Sequence, residues 1–224
     1  MCGRYTLRSS IEKLAEALEV ASIKTDVRAR YNIAPTQKVA AVRVNENSRE
    51  FINLKWGLVP GWAKEPEMGA RLINARSETV TEKPSFRDAF RHRRCLIPCD
   101  GFFEWRREGT RKQPFYFRMK DEQPFAFAGL WEHWEGDGEV IESCTILTTN
   151  ANQVLAPVHD RMPVIVAPQD YELWLDTKTI TPNKLTPLLR PYAATKMTSH
   201  LVGLGVNNPR SDSADLIAPF PNSQ

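Results

Sequence analysis

The fold turns on one stretch: Arg94-Cys95-Leu96-Ile97-Pro98-Cys99-Asp100-Gly101-Phe102-Phe103-Glu104-Trp105. Residues 94–98 and 101–105 are short apolar and aromatic runs with a polar break between them, and they read as consecutive strands. The same signal recurs downstream at residues 114–119, 125–131, 141–149 and 162–167. Glu135-Gly136-Asp137-Gly138 reads as a hairpin connection.

Upstream, Ser9 and Glu12 make a capping-box pattern before Ile11, Leu14, Ala15 and Leu18, which share one helical face. An irregular stretch follows around Tyr31-Asn32-Ile33-Ala34-Pro35. Strand signals lie at residues 38–44 and 51–56, and a Gly/Pro-rich loop at 57–69 carries Trp62. Residues 85–93 suit a short helix with Ser85 as cap and Phe86, Ala89 and Phe90 inward. Residues 168–175 and 181–189 begin with proline near the first helical position, and residues 219–224 read as a frayed tail. Strands follow one another without the βα alternation of a doubly wound sheet. The expectation is an α+β fold in one domain over residues 1–224: a strongly curved or barrel-like, mainly antiparallel sheet with peripheral helices.

The 224 residues are 42% hydrophobic with 10 Phe, 6 Trp and 5 Tyr, enough apolar surface to exclude a disordered chain. A net charge of +3 hides a polarity. Residues 71–120 carry a net +7 and residues 121–224 a net −7, and 19 arginines outnumber 11 lysines. The basic middle is either an anion or nucleic-acid surface or a solvated face whose partner charges sit elsewhere in the fold. No apolar run is long enough to span a membrane, and no signal peptide is evident. Four cysteines in a chain of this length do not build a disulfide scaffold, so a cytoplasmic protein with reduced thiols is expected.

Cys2 is the most informative single residue. Removal of Met1 would leave an α-amine and a thiol on adjacent carbons, with reference pKa values of about 8 and about 8.5. Such a pair either attacks an acyl carbon or condenses with an aldehyde and closes to a thiazolidine. Cys95 and Cys99, with His92 nearby, lack a second ligand pair and read as buried thiols rather than zinc ligands. His159, in a charged loop, suits a general acid or base. Glu104, between aromatics, would have a raised pKa if buried. Asn74 and Arg76 offer an amide and a fixed cation. Phosphate-loop, nucleophile-elbow, metalloprotease and dinucleotide motifs are missing, which points to chemistry without a cofactor or metal.

Several segments occur together in order: Met1-Cys2-Gly3-Arg4-Tyr5, Tyr31-Asn32-Ile33-Ala34-Pro35, Trp56-Gly57-Leu58-Val59-Pro60, Ile73-Asn74-Ala75-Arg76-Ser77-Glu78-Thr79, Pro98-Cys99-Asp100-Gly101-Phe102-Phe103-Glu104-Trp105 and His159-Asp160-Arg161-Met162-Pro163. Together they closely resemble the SOS response-associated peptidase (SRAP) family. The tail with Gly203, Val206 and Asn207 also fits.

The resemblance implies a sensor of abasic sites in single-stranded DNA, whose N-terminal cysteine captures the open-chain aldehyde as an imine and then a thiazolidine. It implies self-removal of Met1, an imine-mediated lyase activity and crosslink reversal. Carried onto this chain, Cys2 supplies both nucleophiles, Asn74 holds the Cys2 terminus and the sugar oxygen, Glu104 shuttles protons, and His159 serves the ring oxygen. Arg4, Arg76 and Arg161 contact phosphates, while Pro35 and Trp62 stack or wedge against DNA. The protein is expected to be a monomer that joins the nucleoid when bound to DNA. Two competing readings are a cysteine peptidase or N-terminal-nucleophile amidohydrolase using Cys2 and His159, and a non-catalytic nucleic-acid-binding module.

Overall fold

A computed structural model describes residues 2–23, 25, 27–46, 48–178 and 182–220. Among these residues, the strands are β1 (Tyr5–Leu7), β2 (Ser22–Ile23), β3 (Arg30–Ile33), β4 (Lys38–Asn45), β5 (Ser48–Trp56), β6 (Asn74–Arg76), β7 (Arg94–Cys99), β8 (Gly101–Glu108), β9 (Arg111–Met119), β10 (Phe125–Gly136), β11 (Glu139–Asn150), β12 (Arg161–Pro163), β13 (Ile165–Val166) and β14 (Met197–Leu201). Four α-helices accompany them: α1 (Ile11–Leu18), α2 (Arg87–His92), α3 (Tyr171–Leu175) and α4 (Pro182–Leu185). The α+β architecture with a closed, mainly antiparallel sheet is the one the strand signals led us to expect.

The larger sheet closes on itself. Antiparallel pairings run β5–β4–β7–β10–β11, and a parallel pairing of β11 with β5 completes the ring at Ser143↔Lys55 and Cys144↔Trp56. The closing register continues where the Gly57 N–H donates to the Cys144 carbonyl at 2.8 Å. Leu54, Trp56, Phe127 and Cys144 share one face of this closed sheet and Phe51 and Leu96 the other, all without exposed surface. The β10–β11 hairpin turns at Asp137-Gly138, both at positive φ (49° and 77°), as its Asp-Gly dipeptide requires.

A second sheet, in the order β14–β9–β8–β1–β3, packs on the barrel. The chain passes from β7 in the barrel to β8 in this sheet through Asp100 alone. Phe102 stacks on Phe117 at 5.3 Å and meets Phe127 of the barrel edge-on at 5.9 Å, so the two layers share one core.

Several local expectations are corrected. Ser10, not Ser9, caps α1: its side chain accepts from the Lys13 N–H, while Ser9 Oγ donates to Asp100 Oδ1 at 2.5 Å. Ser85 caps nothing, because α2 starts after Phe86 and makes no side-chain cap. The irregular stretch at 31–35 is in part β3, and β1, β6 and β14 were not legible as strands. The expected strand at 162–167 is split by Val164, whose N–H donates to the Leu147 carbonyl. Residues 219 and 220 are not frayed: Val202 bridges Pro219, and the Phe220 N–H donates to the Leu201 carbonyl. Residues 221–224 and Thr181, at the start of the last expected helix, lie outside the described residues. No helix among the described residues is long and apolar enough to cross a membrane.

Some acidic residues of 121–224 pair with cations of the preceding segments. Glu132 pairs with Arg93, Glu142 with Arg43 and Glu122 with Arg118. Part of the negative 121–224 segment thus neutralises cations of the preceding segments.

Gly57 sits at φ 131°, and a Cβ there would stand 2.7 Å from the Gly69 carbonyl oxygen. Gly57→Ala should therefore destabilise the protein by about 2–3 kcal/mol in urea titration, from strain and clash beside the closing strand pair. Gly109→Ala, at φ 61° in open space, should cost only about 1 kcal/mol.

Candidate active site at the N-terminal strand

The N-terminal segment is built into the second sheet. Tyr5 pairs with Phe102 and Thr6 with Gly101, and the Phe103 N–H donates to the Arg4 carbonyl at 3.0 Å. This ladder carries Cys2 and Gly3 alongside Glu104. Asp100 pins the other end of β1: its buried carboxylate accepts the backbone N–H groups of Arg8 (2.6 Å) and Ser9 (2.9 Å), and its own N–H donates to Thr6. A carboxylate bound this way is a strong anchor.

Cys2 is 0% exposed and belongs to the main core. Burial pushes its thiol pKa up, and the nearby Glu104 charge adds to this, so the thiol is held protonated. Met1, whose removal the sequence led us to expect, lies outside the described residues.

Glu104 is 2% exposed on β8. Desolvation raises its pKa to about 7, against the opposing positive charge of the chain's amino terminus. A carboxyl poised there exchanges protons at neutral pH. Glu104 and His159 together line an open cleft of about 350 Å³, completed by Trp105, Arg107, Lys112 and Asn207.

His159 is held by the loop after β11. Buried Asn152 accepts the Val154 and Leu155 N–H groups through Oδ1, and the His159 N–H donates to the Leu155 carbonyl at 3.0 Å. His159 Nδ1 accepts the Arg161 N–H at 2.9 Å, which assigns the ring proton of the neutral form to Nε2. Desolvation lowers its pKa, so the neutral form prevails at pH 7. Asp160 Oδ1, 3.0 Å from Nδ1, is the partner available once the ring is protonated.

Asn74 begins β6, parallel to β11 opposite Ile146. Its Nδ2 donates to the Ile73 carbonyl at 3.0 Å, and its Oδ1 is buried with no hydrogen-bond partner among the described residues. Such an atom is costly unless something donates to it. Asn74 is linked to the N-terminal strand indirectly. The Ile73 carbonyl accepts Trp56 Nε1, and Trp56 meets Tyr5 edge-on at 5.5 Å.

The expected DNA-contact residues fall into two groups. Arg76 is exposed on β6, and Trp62 is 56% exposed with Nε1 donating to the Pro84 carbonyl at 3.3 Å. Pro35, half-buried, precedes Thr36 at φ 71° in the turn before β4. Arg4 and Arg161 are already engaged. Arg4 Nη1 donates to Asn32 Oδ1 and the Val206 carbonyl, and burial lowers its pKa. Arg161 forks onto both Glu78 oxygens at 2.7 and 2.9 Å and also donates to Asn150 and Thr148. Cys95 and Cys99 are buried thiols of β7, and His92 bonds the Asp88 carbonyl within α2.

Sequence reasoning missed Asp100, Arg107 and Lys112 as contributors to this region. It also missed the pairing of Trp105 Nε1 with Asn207 Oδ1 at 2.7 Å, which joins β8 to a distant turn. Arg107 and Lys112 become visible only through the β8–β9 register.

The fold and the site define a closed-barrel protein with a candidate site beside its own N-terminal strand, where Glu104 and His159 line one cleft. The chain belongs to the SOS response associated peptidase (SRAP) family, whose description matches residues 1–209. It is 40% identical over 221 residues to the abasic site processing protein YoaM of Bacillus subtilis, covering 97% of each chain. It is 31% identical over 227 residues to the abasic site processing protein YedK of Escherichia coli, covering 98% of this chain and 100% of that one. A crystal structure of a protein from Bacteroides thetaiotaomicron superposes with a TM-score of 0.89 at 26% identity, covering 98% of this chain and 100% of that one.

Glu104 gives this region a pH signature. With the folded pKa raised from 4.5 to about 7, the folded state holds a proton that the unfolded state has released. Stability should be full below pH 4.5 and fall as pH rises through 7, by roughly 3 kcal/mol in all. Urea titrations across pH 4–8 should show that fall in the native chain and not in Glu104→Gln.

Proposed function

We propose that this protein captures abasic sites in single-stranded DNA as a covalent adduct of Cys2. The observation that carries the reading is a buried Cys2 thiol within electrostatic reach of Glu104, which itself lines a cleft together with His159. The names of its relatives as abasic site processing proteins support the choice of substrate.

Hydrolysis of the Met1–Cys2 bond consumes one water and frees the α-amine, by self-cleavage or by an aminopeptidase. The amine attacks the aldehyde carbon of the open sugar, and loss of water gives an imine. The thiol then adds to that carbon: an S–C bond forms, the C=N π pair moves to nitrogen, and the thiol proton ends on the ring nitrogen. Aldehyde and aminothiol become thiazolidine and one water. Ring closure is intramolecular and traps the imine at high effective concentration.

The residues divide the work by their environments. Burial keeps the Cys2 thiol neutral, so the amine acts first and the sulfur second. Glu104, with a pKa of about 7, takes the proton from one and returns it to the other. Neutral His159 presents Nε2–H to the sugar ring oxygen and takes part in crosslink reversal. Asn74, with its buried Oδ1 unpaired among the described residues, accepts from the freed amine. The imine also permits β-elimination at the sugar, a lyase branch.

Arg76 and the exposed Trp62 ring are the groups open to backbone and bases, with Pro35 at the turn edge. For Arg4 and Arg161, a phosphate would add to or compete with the partners they already hold. The whole chain works as one domain and a monomer, since the site needs one N-terminus. A trans-acting cysteine peptidase fits less well, because a thiol buried and held protonated is a poor thiolate nucleophile.

Purified protein mixed with an oligonucleotide bearing one abasic site should give an adduct stable in denaturing gels without reductant. Cys2→Ala should abolish it. Glu104→Gln should slow its formation roughly 100-fold, the scale of a lost proton shuttle. No adduct from protein shown by intact mass to lack Met1 would overturn the proposal.

A further inference from the structure

We propose that Arg107 and Lys112 form a clamp for a backbone phosphate of the DNA strand next to the lesion; this rests on the capture reading above. The two residues are directly opposite in the β8–β9 register and both are exposed. Side chains so paired stand with Cβ atoms about 5 Å apart, and like charges in that position repel.

The other cations of this hairpin are placed differently. Arg111 faces Glu108 across the strands, and Arg106 is bonded to Glu108 and lies 4.8 Å over the Phe115 ring. Within this hairpin the Arg107–Lys112 pair alone sets cation against cation, with no carboxylate bonded to either among the described residues. A bound anion converts that repulsion into attraction, and a guanidinium with an ammonium suits phosphate oxygens.

The clamp belongs to the cleft. Arg107 and Lys112 line it together with Glu104 and His159. Three residues of extended strand put Arg107 roughly 10 Å along β8 from Glu104 with its side chain on the opposite face, suited to a neighbouring nucleotide rather than to the reacting sugar. The pair therefore acts on binding and on the path of the strand, and takes no part in the chemistry. With Arg76 on β6 as a second free cation, the strand would cross the cleft between two positive supports.

The test is the double variant Arg107→Gln/Lys112→Gln. Its binding to lesion-free single-stranded DNA is measured by fluorescence anisotropy over a salt series. The slope of log affinity against log salt should shrink by about 0.7 to 1.4, one to two phosphate contacts on a single strand. Half-saturation for adduct formation with the abasic oligonucleotide should rise roughly tenfold, with the plateau rate unchanged. Adduct formation with glyceraldehyde, followed by intact mass, should match the native protein. Arg190→Gln/Lys196→Gln, which removes the same charge at a separate cleft, should leave the slope alone, and Arg107→Lys/Lys112→Arg should restore it.

An unaltered slope in the clamp variant, or an equal change in the remote variant, overturns the clamp. Failure of the native protein to form any adduct overturns the capture reading instead, and the salt series on lesion-free DNA still decides the clamp.

Discussion

The parallel pairing of β5 with β11 is the constraint on which the structure depends. It converts a curved sheet into a closed barrel and brings Trp56 opposite Cys144. Closure removes two open edges that would otherwise expose unpaired backbone groups. The chain leaves that pairing at Gly57, which packs against Gly69 so tightly that neither has room for a side chain. Beyond it, the chain returns as β6 beside β11. Asn74 and Arg76 owe their positions to this return, because β6 has no other sheet partner.

Burial of polar groups at the N-terminal strand is the second organising fact. Cys2, Asp100 and Glu104 are all buried or nearly so. Asp100 is satisfied by backbone donors and holds its place as an anchor. Glu104 meets desolvation instead, and its pKa rises to about 7. Two carboxylates four residues apart are thus both buried, one bonded to the backbone that follows β1 and the other raised in pKa by desolvation. A buried carboxyl with a raised pKa on a cleft is the kind of group that marks a candidate functional site.

Much of the barrel was legible because its strands are long and apolar. Residues 94–98, 125–131 and 141–149 announced themselves by composition, and Asp137-Gly138 by turn chemistry. Short strands were not legible. β6 is three residues long and β14 is mostly polar; each is a strand only because a neighbour offers a ladder of donors and acceptors. The helix caps failed for a similar reason. Ser9 had the right residue type, but Asp100, far away in sequence, took its hydroxyl. The charge polarity of the sequence is partly offset in space, where Glu132 and Glu142 fold against Arg93 and Arg43.

By itself the sequence determined the α+β class and, through its ordered motifs, the family, and it put forward Cys2, Asn74, Glu104 and His159 as candidate site residues. Residue types and local patterns are enough for that. Only the tertiary structure decided which arginines are open and which are spent: Arg161 is forked onto Glu78, Arg4 onto Asn32 and a carbonyl, while Arg76, Arg107 and Lys112 face outward. It alone decided that buried Asp100 accepts two backbone N–H groups, while burial raises the pKa of Glu104. Those outcomes depend on distances between residues far apart in the chain, and solvation and ion pairing are properties of such distances rather than of sequence order.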